Sequence, residues 1–366
     1  MRVALLDLPS YTPPYDHSLA AALARRGHEV TVLTTRFPYG EAPAPEGYTR
    51  EELFFPVSGR LRRLAPRSPA HRLVKAAEYA PSVRRLRRRL DTLAPDVVHV
   101  QWLALPERDL RWLGALGRPT VFTAHDLLGR RENRRSTWVA VCRAVDRVVV
   151  HSERGREELE EAGVERDRIE VIPHPVFELS AHEPSPPNGT TLLFFGLLRA
   201  YKGLDLLVQA LARVPEARLV VAGDPVDPVE PIRRLAFEQG VRNRIEWRLG
   251  FLPDAEVSTL MAGAAAVVLP YRQADSSGVL ATAFAHGRPA IVSDVGGLAD
   301  AVRAYHAGLV VPPDDVEALA DACRALLADP GPAYRGALAA RAGLSWEAAA
   351  ERHERLYRDL LSVRRA

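Results

Sequence analysis

Apolar and polar positions alternate in blocks along the first 35 residues. "RVALLDL" is an unbroken apolar run, "HSLAAALARRG" spaces its apolar residues three and four apart, and "HEVTVLT" returns to a run. Such a run predicts a strand buried on both faces, and the three-four spacing predicts an amphipathic helix closed by Gly27. The beat resumes in "DVVHVQW", "PTVFTAHD", "DRVVVHS" and "RIEVIPHP". It begins again beyond residue 190 in "TLLFFG", "ARLVVAGD", "NRIEWRLG", "AAVVLPY", "PAIVSD" and "AGLVVPP". Buried β-branched runs separated by helices predict an α/β chain whose parallel sheets are covered on both faces. Residues 35–58, broken by Pro and Gly, are expected to be irregular, and "SWEAAAERHERLYRDLLSVRR" from Ser345 is expected to form a final helix.

The polar, Pro-rich "ELSAHEPSPPNGT" between the two series reads as a linker. A chain of 366 residues is long for one core and natural for two domains. The expected organisation is a first doubly wound domain over 1–178, a linker over 179–189, a second over 190–344, and a helix over 345–366 that returns to the first. Two such Rossmann-like domains facing a cleft bind ligands at the carboxyl ends of their strands.

Composition narrows the class. Hydrophobic content of 47% and charged content of 26% are those of a soluble globular protein. Cys142 and Cys323 are the only cysteines and match no metal or disulfide spacing, which favours a reducing, cytoplasmic setting. The opening "MRVALLDLP" lacks the basic start of a signal peptide, and no apolar run reaches the roughly 20 residues of a membrane span. The net charge of +3 hides an uneven spread: residues 60–89 hold eleven Lys or Arg against one acid, Glu78. Leu61, Leu64, Leu73, Val74, Val83, Leu86 and Leu90 are interleaved with them. The segment reads equally as a basic amphipathic helix for an anionic membrane surface and as a solvated helix face. No aromatic platform accompanies the charge, so nucleic acid is not an expected partner.

Three loops of the second series carry candidate chemistry. "FFGLLRAYKGLDLL" places Gly196, Arg199, Lys202 and Gly203 between a strand and a helix. Glycine lets a ligand approach the backbone, Arg and Lys supply charge for phosphate oxygens, and the helix N-terminus adds its dipole. Lys75 and Lys202 are the only lysines among 49 basic residues, so Lys202 marks a place where a compact ammonium is wanted. "RQADSSGVLATAFAHG" places Ser276 or Ser277 as the cap of a helix starting near Gly278, with the N–H groups of Gly278 and Val279 available to an anion. Such a loop also serves as a plain helix cap. "WRLGFLPDAEV" offers Gly250, Phe251 and Leu252 to a flat base. Neither a Walker sequence nor a G-x-G-x-x-G after the first strand occurs, which removes ATPase and dehydrogenase readings.

The ordered set "GLLRAYKGLDLLVQAL", "LVVAGD", "RLGFLPDAEVSTLMAGAAAVVLPY", "SGVLATAFAHGRPAIVSDVGGLADAV" and the "SWE" helix resembles the nucleotide-binding half of family 4 retaining glycosyltransferases of the GT-B fold. "HSLAAALARRGHEVTVLT", "PDVVHVQW", "TVFTAHD" and "DRVVVHSERGREEL" resemble the acceptor-binding half. The resemblance implies that Arg199 and Lys202, with Gly196, grip the diphosphate of a nucleoside diphosphate sugar, and that the helix after Ser277 aims its N–H groups at the same phosphates. It implies that His125, followed by Asp126, faces the transferred sugar. It also implies a metal-independent hexosyltransferase with no cofactor beyond its donor, acting in cell-envelope polysaccharide or glycolipid assembly.

Two departures stand out. Members commonly carry two glutamates eight positions apart, for which this chain has Ala274 or Asp275 and Thr282, leaving the ribose contact open between these side chains and the backbone. In the first strand-to-helix loop "SYTPPYDHSLA" replaces a Gly pair, with Tyr15, Asp16 and His17 as candidate acceptor contacts and Asp16 first of all a helix cap. The acceptor, unnamed by the sequence, is expected to be lipid-linked if the basic segment meets the inner face of the cytoplasmic membrane. Two rivals are a nucleotide-sugar 2-epimerase and a non-catalytic glycosyltransferase-like partner subunit.

Overall fold

The computed structural model describes residues 1–37, 41–64, 70–125, 135–177, 183–274 and 277–364. Asp126, Asp275 and Ser276 lie outside them. The chain divides into two compact units. One is formed by residues 1–151, 155–172 and 346–366, the other by 152–154 and 173–345.

In the first unit the elements run β1 (Arg2–Asp7), α1 (Pro13–Arg25), β2 (Glu29–Thr35), β3 (Thr49–Phe54), α2 (Pro56–Leu64), α3 (Ala70–Leu93), β4 (Val97–Trp102), α4 (Pro106–Leu113), β5 (Thr120–Thr123), α5 (Arg135–Ala144), β6 (Arg147–Val150), α6 (Glu153–Glu161) and β7 (Ile169–Val171). The strands form one parallel sheet in the order β3-β2-β1-β4-β5-β6-β7. The order reverses at β1, so a topological switch point lies where the carboxyl ends of β1 and β4 part.

β3 was expected as irregular chain. Its "TREELF" is charged and only Phe54 is fully buried, which hides the pattern of a buried strand, and it sits at the sheet edge where charge is tolerated. Glu51 on β3 takes both Nε contacts of Arg89 on α3 at 3.1 and 2.8 Å. The basic helix α3 thus has a buried side: Leu86 and Leu90 are core residues, while Arg84, Arg85, Arg87 and Arg88 point outward.

The second unit runs β8 (Thr191–Phe195), α7 (Leu204–Ala212), β9 (Arg218–Gly223), α8 (Glu230–Glu238), β10 (Ile245–Leu249), α9 (Asp254–Gly263), β11 (Ala266–Leu269), α10 (Gly278–Ala285), β12 (Ala290–Ser293), α11 (Leu298–Tyr305), β13 (Gly308–Val311), α12 (Val316–Ala328) and α13 (Gly331–Gly343). Its parallel order, β10-β9-β8-β11-β12-β13, repeats the first unit's reversal, here between β8 and β11. Alternate residues of β8 serve opposite layers: Leu192 and Phe194 pack with Leu207 and Leu211, and Leu193 packs with Leu269 and Phe284. Each side chain so buried contributes about 1.5–3 kcal/mol of transfer free energy.

The last helix, α14 (Trp346–Val363), belongs to the first unit. It packs on α1 through Arg25–Glu347 and Arg26–Glu354, both at 2.6 Å. No helix among the described residues is long and apolar enough to cross a membrane.

Candidate functional site

In the second unit the strand ends are shaped by glycine. Gly196 follows β8 with φ +108°, Gly223 ends β9 with φ +132°, and Gly250 follows β10 with φ +120°. A methyl group on Gly223 would lie 2.0 Å from the Gly196 carbonyl oxygen, so the two backbones meet at a distance that excludes any other residue.

The loop after Gly196 is pinned on several sides. Ala200 N–H donates to Asp227 at 2.8 Å. Gly203 has φ +69°, and a methyl group there would sit 2.0 Å from the Pro270 carbonyl oxygen. Arg272 completes the clamp: its N–H donates to the Tyr201 carbonyl at 2.8 Å and its guanidinium to the Ala200 carbonyl at 3.0 Å. The same guanidinium holds both Asp205 oxygens at 2.9 and 2.7 Å and Asp314 at 2.7 Å. Hydrogen bonding to Asp205 raises its pKa further, so this charge is permanent.

The clamp fixes Lys202, which is only 8% exposed, with Nζ 5.1 Å from the Tyr271 ring centre. A methyl group on Gly196 would lie 3.1 Å from Lys202 Nζ and 3.1 Å from Val279 Cγ2. Gly196, Lys202 and the first turn of α10 therefore converge on one spot. Ser277 caps α10, its Oγ accepting from Leu280 N–H at 3.4 Å. Arg199 Nε is buried with no hydrogen-bond partner among the described residues. An enclosed ammonium beside a helix N-terminus is chemistry that suits an anion. Thr282 is buried and its Oγ donates to the Gly278 carbonyl at 2.8 Å, which commits its hydroxyl hydrogen to the helix. Phe251 is 79% exposed and Leu252 half-buried beyond Gly250.

In the first unit, His125 lies just past β5. Trp102 stacks on it at 5.1 Å, Tyr15 meets it edge-on at 4.7 Å, and His151 sits 5.2 Å away. Tyr15 is 1% exposed, and burial pushes its phenol well above its ordinary pKa. Its side chain packs inward against His125 and Trp346, which removes it as a direct acceptor contact.

Asp16 corrects both readings made of it. Pro13 and Pro14 start α1 after Thr12, so Asp16 falls inside the first turn and does not cap. It is buried beside Asp7, whose second oxygen takes the N–H groups of Tyr11 and Thr12 at 2.8 and 3.1 Å. Burial raises Asp7 to about 6 and, with the neighbouring Asp7 charge, raises Asp16 well above the carboxylate range, so the pair retains a proton. His17 keeps part of its side chain at the surface, with Nδ1 3.0 Å from the Tyr48 hydroxyl.

Sequence reasoning passed over the groups that hold His125. Gln101 reaches its Nε2 at 2.8 Å and His151 its Nδ1 at 3.2 Å. The available signal was "VVHVQW", where polar His99 and Gln101 alternate with Val inside a buried strand. Among the described residues no cluster of three His, Cys, Asp or Glu has metal-binding proximity.

Comparison with known proteins adds the following. Residues 15–177 match the profile "Glycosyltransferase Family 4" and residues 189–329 the profile "Glycosyl transferases group 1". A D-inositol 3-phosphate glycosyltransferase of Acidothermus cellulolyticus is 30% identical over 404 aligned positions, covering 96% of this chain and 86% of that protein. Among solved structures, sucrose-phosphate synthase of Thermosynechococcus elongatus superposes with a TM-score of 0.75 at 22% identity, covering 99% of this chain and 100% of the other. HepE of Anabaena in complex with UDP gives 0.74 at 18% identity, covering 98% and 100%. At these identities the two structures speak for the fold alone.

Proposed function

This chain belongs to glycosyltransferase family 4, has the GT-B fold and is an enzyme of sugar transfer, and from that premise we propose that it moves a hexose from a nucleoside diphosphate sugar to an acceptor hydroxyl with retention at the anomeric carbon. The observation that carries the donor assignment is the convergence of Gly196, Lys202 and the α10 N-terminus on one spot. The family profiles and relatives are named for transfer, which favours this reading over epimerisation or a silent partner subunit.

As the bond to the diphosphate breaks, negative charge gathers on the leaving oxygen. Arg199, Lys202 and the N–H groups of Gly278 and Val279 stabilise it, at about 3 kcal/mol for each well-aimed donor. These fixed charges are the neutralising groups in this scheme, which includes no metal or cofactor. The acceptor hydroxyl attacks from the leaving-group face and a donor phosphate oxygen takes its proton, which asks no side chain to serve as nucleophile. His125 contacts the transferred sugar. Gly250, Phe251 and Leu252 receive the base, and His17 and Asp126 meet the acceptor.

Incubation with a panel of nucleotide sugars, with phosphorylated polyols and lipid-linked glycans as acceptors, is expected to release nucleoside diphosphate with one donor, and an α-linked donor to give an α-linked product. A β-linked product would remove retention. Arg199→Ala and Lys202→Ala are expected to weaken nucleoside diphosphate binding in calorimetry, and unchanged binding would remove the donor site.

We place the enzyme at the inner face of the cytoplasmic membrane. Arg84, Arg85, Arg87 and Arg88 are exposed, and Leu73 is 77% exposed on the same helix. Because Leu86 and Leu90 are spent on the core, attachment is electrostatic more than insertive, and flotation with anionic liposomes is expected to be lost at high salt. Absence of binding at low salt would remove this placement.

A further inference from the structure

The loop between β1 and α1 carries two tyrosines with opposite fates. Tyr15 packs inward, whereas Tyr11, four residues earlier, is 53% exposed. Its loop lies at the carboxyl end of β1, beside the switch point of the first sheet.

The backbone under Tyr11 is fixed from below. Asp7, the last residue of β1, is fully buried, and one of its oxygens accepts the N–H groups of Tyr11 at 2.8 Å and Thr12 at 3.1 Å. Its carbonyl accepts the Ser10 N–H at 3.3 Å. Ser10 is itself buried with φ +55°, the left-handed region that a serine seldom takes. A buried carboxylate and a strained serine are two costs met at one turn, and together they bring Tyr11 out of it in one backbone conformation.

The ring is steadied as well. Trp102, the last residue of β4, lies 5.4 Å from the Tyr11 ring centre at an interplanar angle of 77°, an edge-to-face contact. The indole is tied to the same loop, because its Nε1–H donates to Thr12 Oγ1 at 2.9 Å. It also stacks on His125 at 5.1 Å, with 12° between the planes. One indole therefore joins the exposed phenol to the histidine assigned to the transferred sugar.

A steadied, exposed aromatic ring has a definite ligand chemistry. Its face is electron-rich, and the C–H bonds on the apolar face of a pyranose form a flat, weakly positive surface that lies on it. Tyrosine offers this area with two side-chain torsions to freeze, and the neighbouring indole already restricts them, so less ordering entropy opposes binding. An acyclic polyol phosphate or a lipid phosphate presents no such face.

We propose that Tyr11 is a specificity-determining residue for the acceptor, stacking on a pyranose ring, so that the acceptor is a glycan and not an acyclic polyol or a lipid phosphate. This rests on the reading that the chain transfers a sugar to an acceptor hydroxyl, and it names the class of that acceptor. The donor's own sugar shares this chemistry, and separate KM values for donor and acceptor distinguish the two.

The test is saturation-transfer NMR on the full chain with methyl pyranosides of glucose, galactose, mannose and N-acetylglucosamine, and with glycerol 3-phosphate as the acyclic probe. Wild type and Tyr11→Phe are expected to transfer saturation to the ring protons on one face of a pyranoside, and Tyr11→Ala to lose most of that signal. In turnover with that pyranoside, Tyr11→Ala is expected to raise acceptor KM about tenfold and leave donor KM unchanged. Tyr11→Leu keeps apolar bulk without a ring; it is expected to match Tyr11→Ala, and carries the test if the alanine variant fails to fold. The proposal is overturned by a wild type that contacts none of the pyranosides, by a ringless variant with wild-type signal and acceptor KM, by glycerol 3-phosphate serving as well as the best pyranoside, or by a rise in donor KM alone. Failure of the underlying reading is separate: no nucleotide sugar would then release its nucleoside diphosphate with any acceptor, while the pyranoside contact at Tyr11 stood.

Discussion

The two units repeat one sheet order and treat charge at their strand ends in opposite ways. In the second unit, the Gly196 backbone, the Lys202 ammonium and Val279 converge on one spot, and Arg199 Nε is buried with no hydrogen-bond partner among the described residues. In the first unit, a set of buried ionisable groups is discharged: His99 and His353 are held below the usual range, the latter at about 4, while Tyr15, Tyr357 and the Asp7–Asp16 pair are held above theirs; Glu354, paired with Arg26, is the charged exception. On the proposed reading, one unit keeps a positive charge for an external anion. The other has neutralised most of the ionisable groups it buries.

The largest expected effect tests the charged side of this contrast. Lys202→Ala is expected to lower kcat/KM by about 100- to 1,000-fold, as loss of a preorganised donor to a developing anion does. Its melting temperature should hardly move. If kcat/KM fell less than threefold, the enclosed ammonium would not belong to the anion site. Gly196→Ala is the steric counterpart, since its methyl group would press on Lys202 Nζ and Val279 at 3.1 Å from a backbone with φ +108°. About a tenfold loss of nucleoside diphosphate affinity is expected, measured by calorimetry.

The contrast also explains what the sequence discloses. The proposed anion site, built from backbone and fixed charge, leaves local marks, so Gly196, Arg199, Lys202 and Ser277 can be proposed from short motifs. Parallel sheets were equally legible, because central strands such as β1, β8, β11 and β12 are buried apolar runs. β3 was not, because an edge strand with charged residues has no such run. The groups that hold His125 were not, because Gln101 comes from β4 and His151 from just past β6, 24 and 26 positions away. Asp16 was misread because a cap depends on where the helix begins, and Pro13 moves that start forward by a turn.

Arg272 lies between these extremes, as a charge that serves position. It touches the Tyr201 and Ala200 carbonyls and Asp205, holding the Lys202 loop without joining the anion spot itself. Arg272→Lys keeps the charge and loses the fork. A fall in donor affinity of about three- to tenfold is expected, smaller than for Lys202→Ala. An effect as large as that of Lys202→Ala would mean that Arg272 contacts the donor directly.

The smallest effect on turnover, and the sharpest test of the discharged unit, is Asp16→Asn. Asp7 has a folded pKa of about 6 against an ordinary 3.8, so between those values the native pair holds protons that the unfolded chain has released. Stability from this pair is therefore present at low pH and is lost as pH rises through about 6. An asparagine cannot ionise, which removes the like-charge neighbour of Asp7. Urea titrations are expected to show the variant more stable than wild type by about 1–3 kcal/mol at pH 8, with the difference vanishing near pH 4. A variant less stable at pH 8 would mean that the first unit tolerates a charged carboxylate pair, and the opposition between the two units would fail at that point.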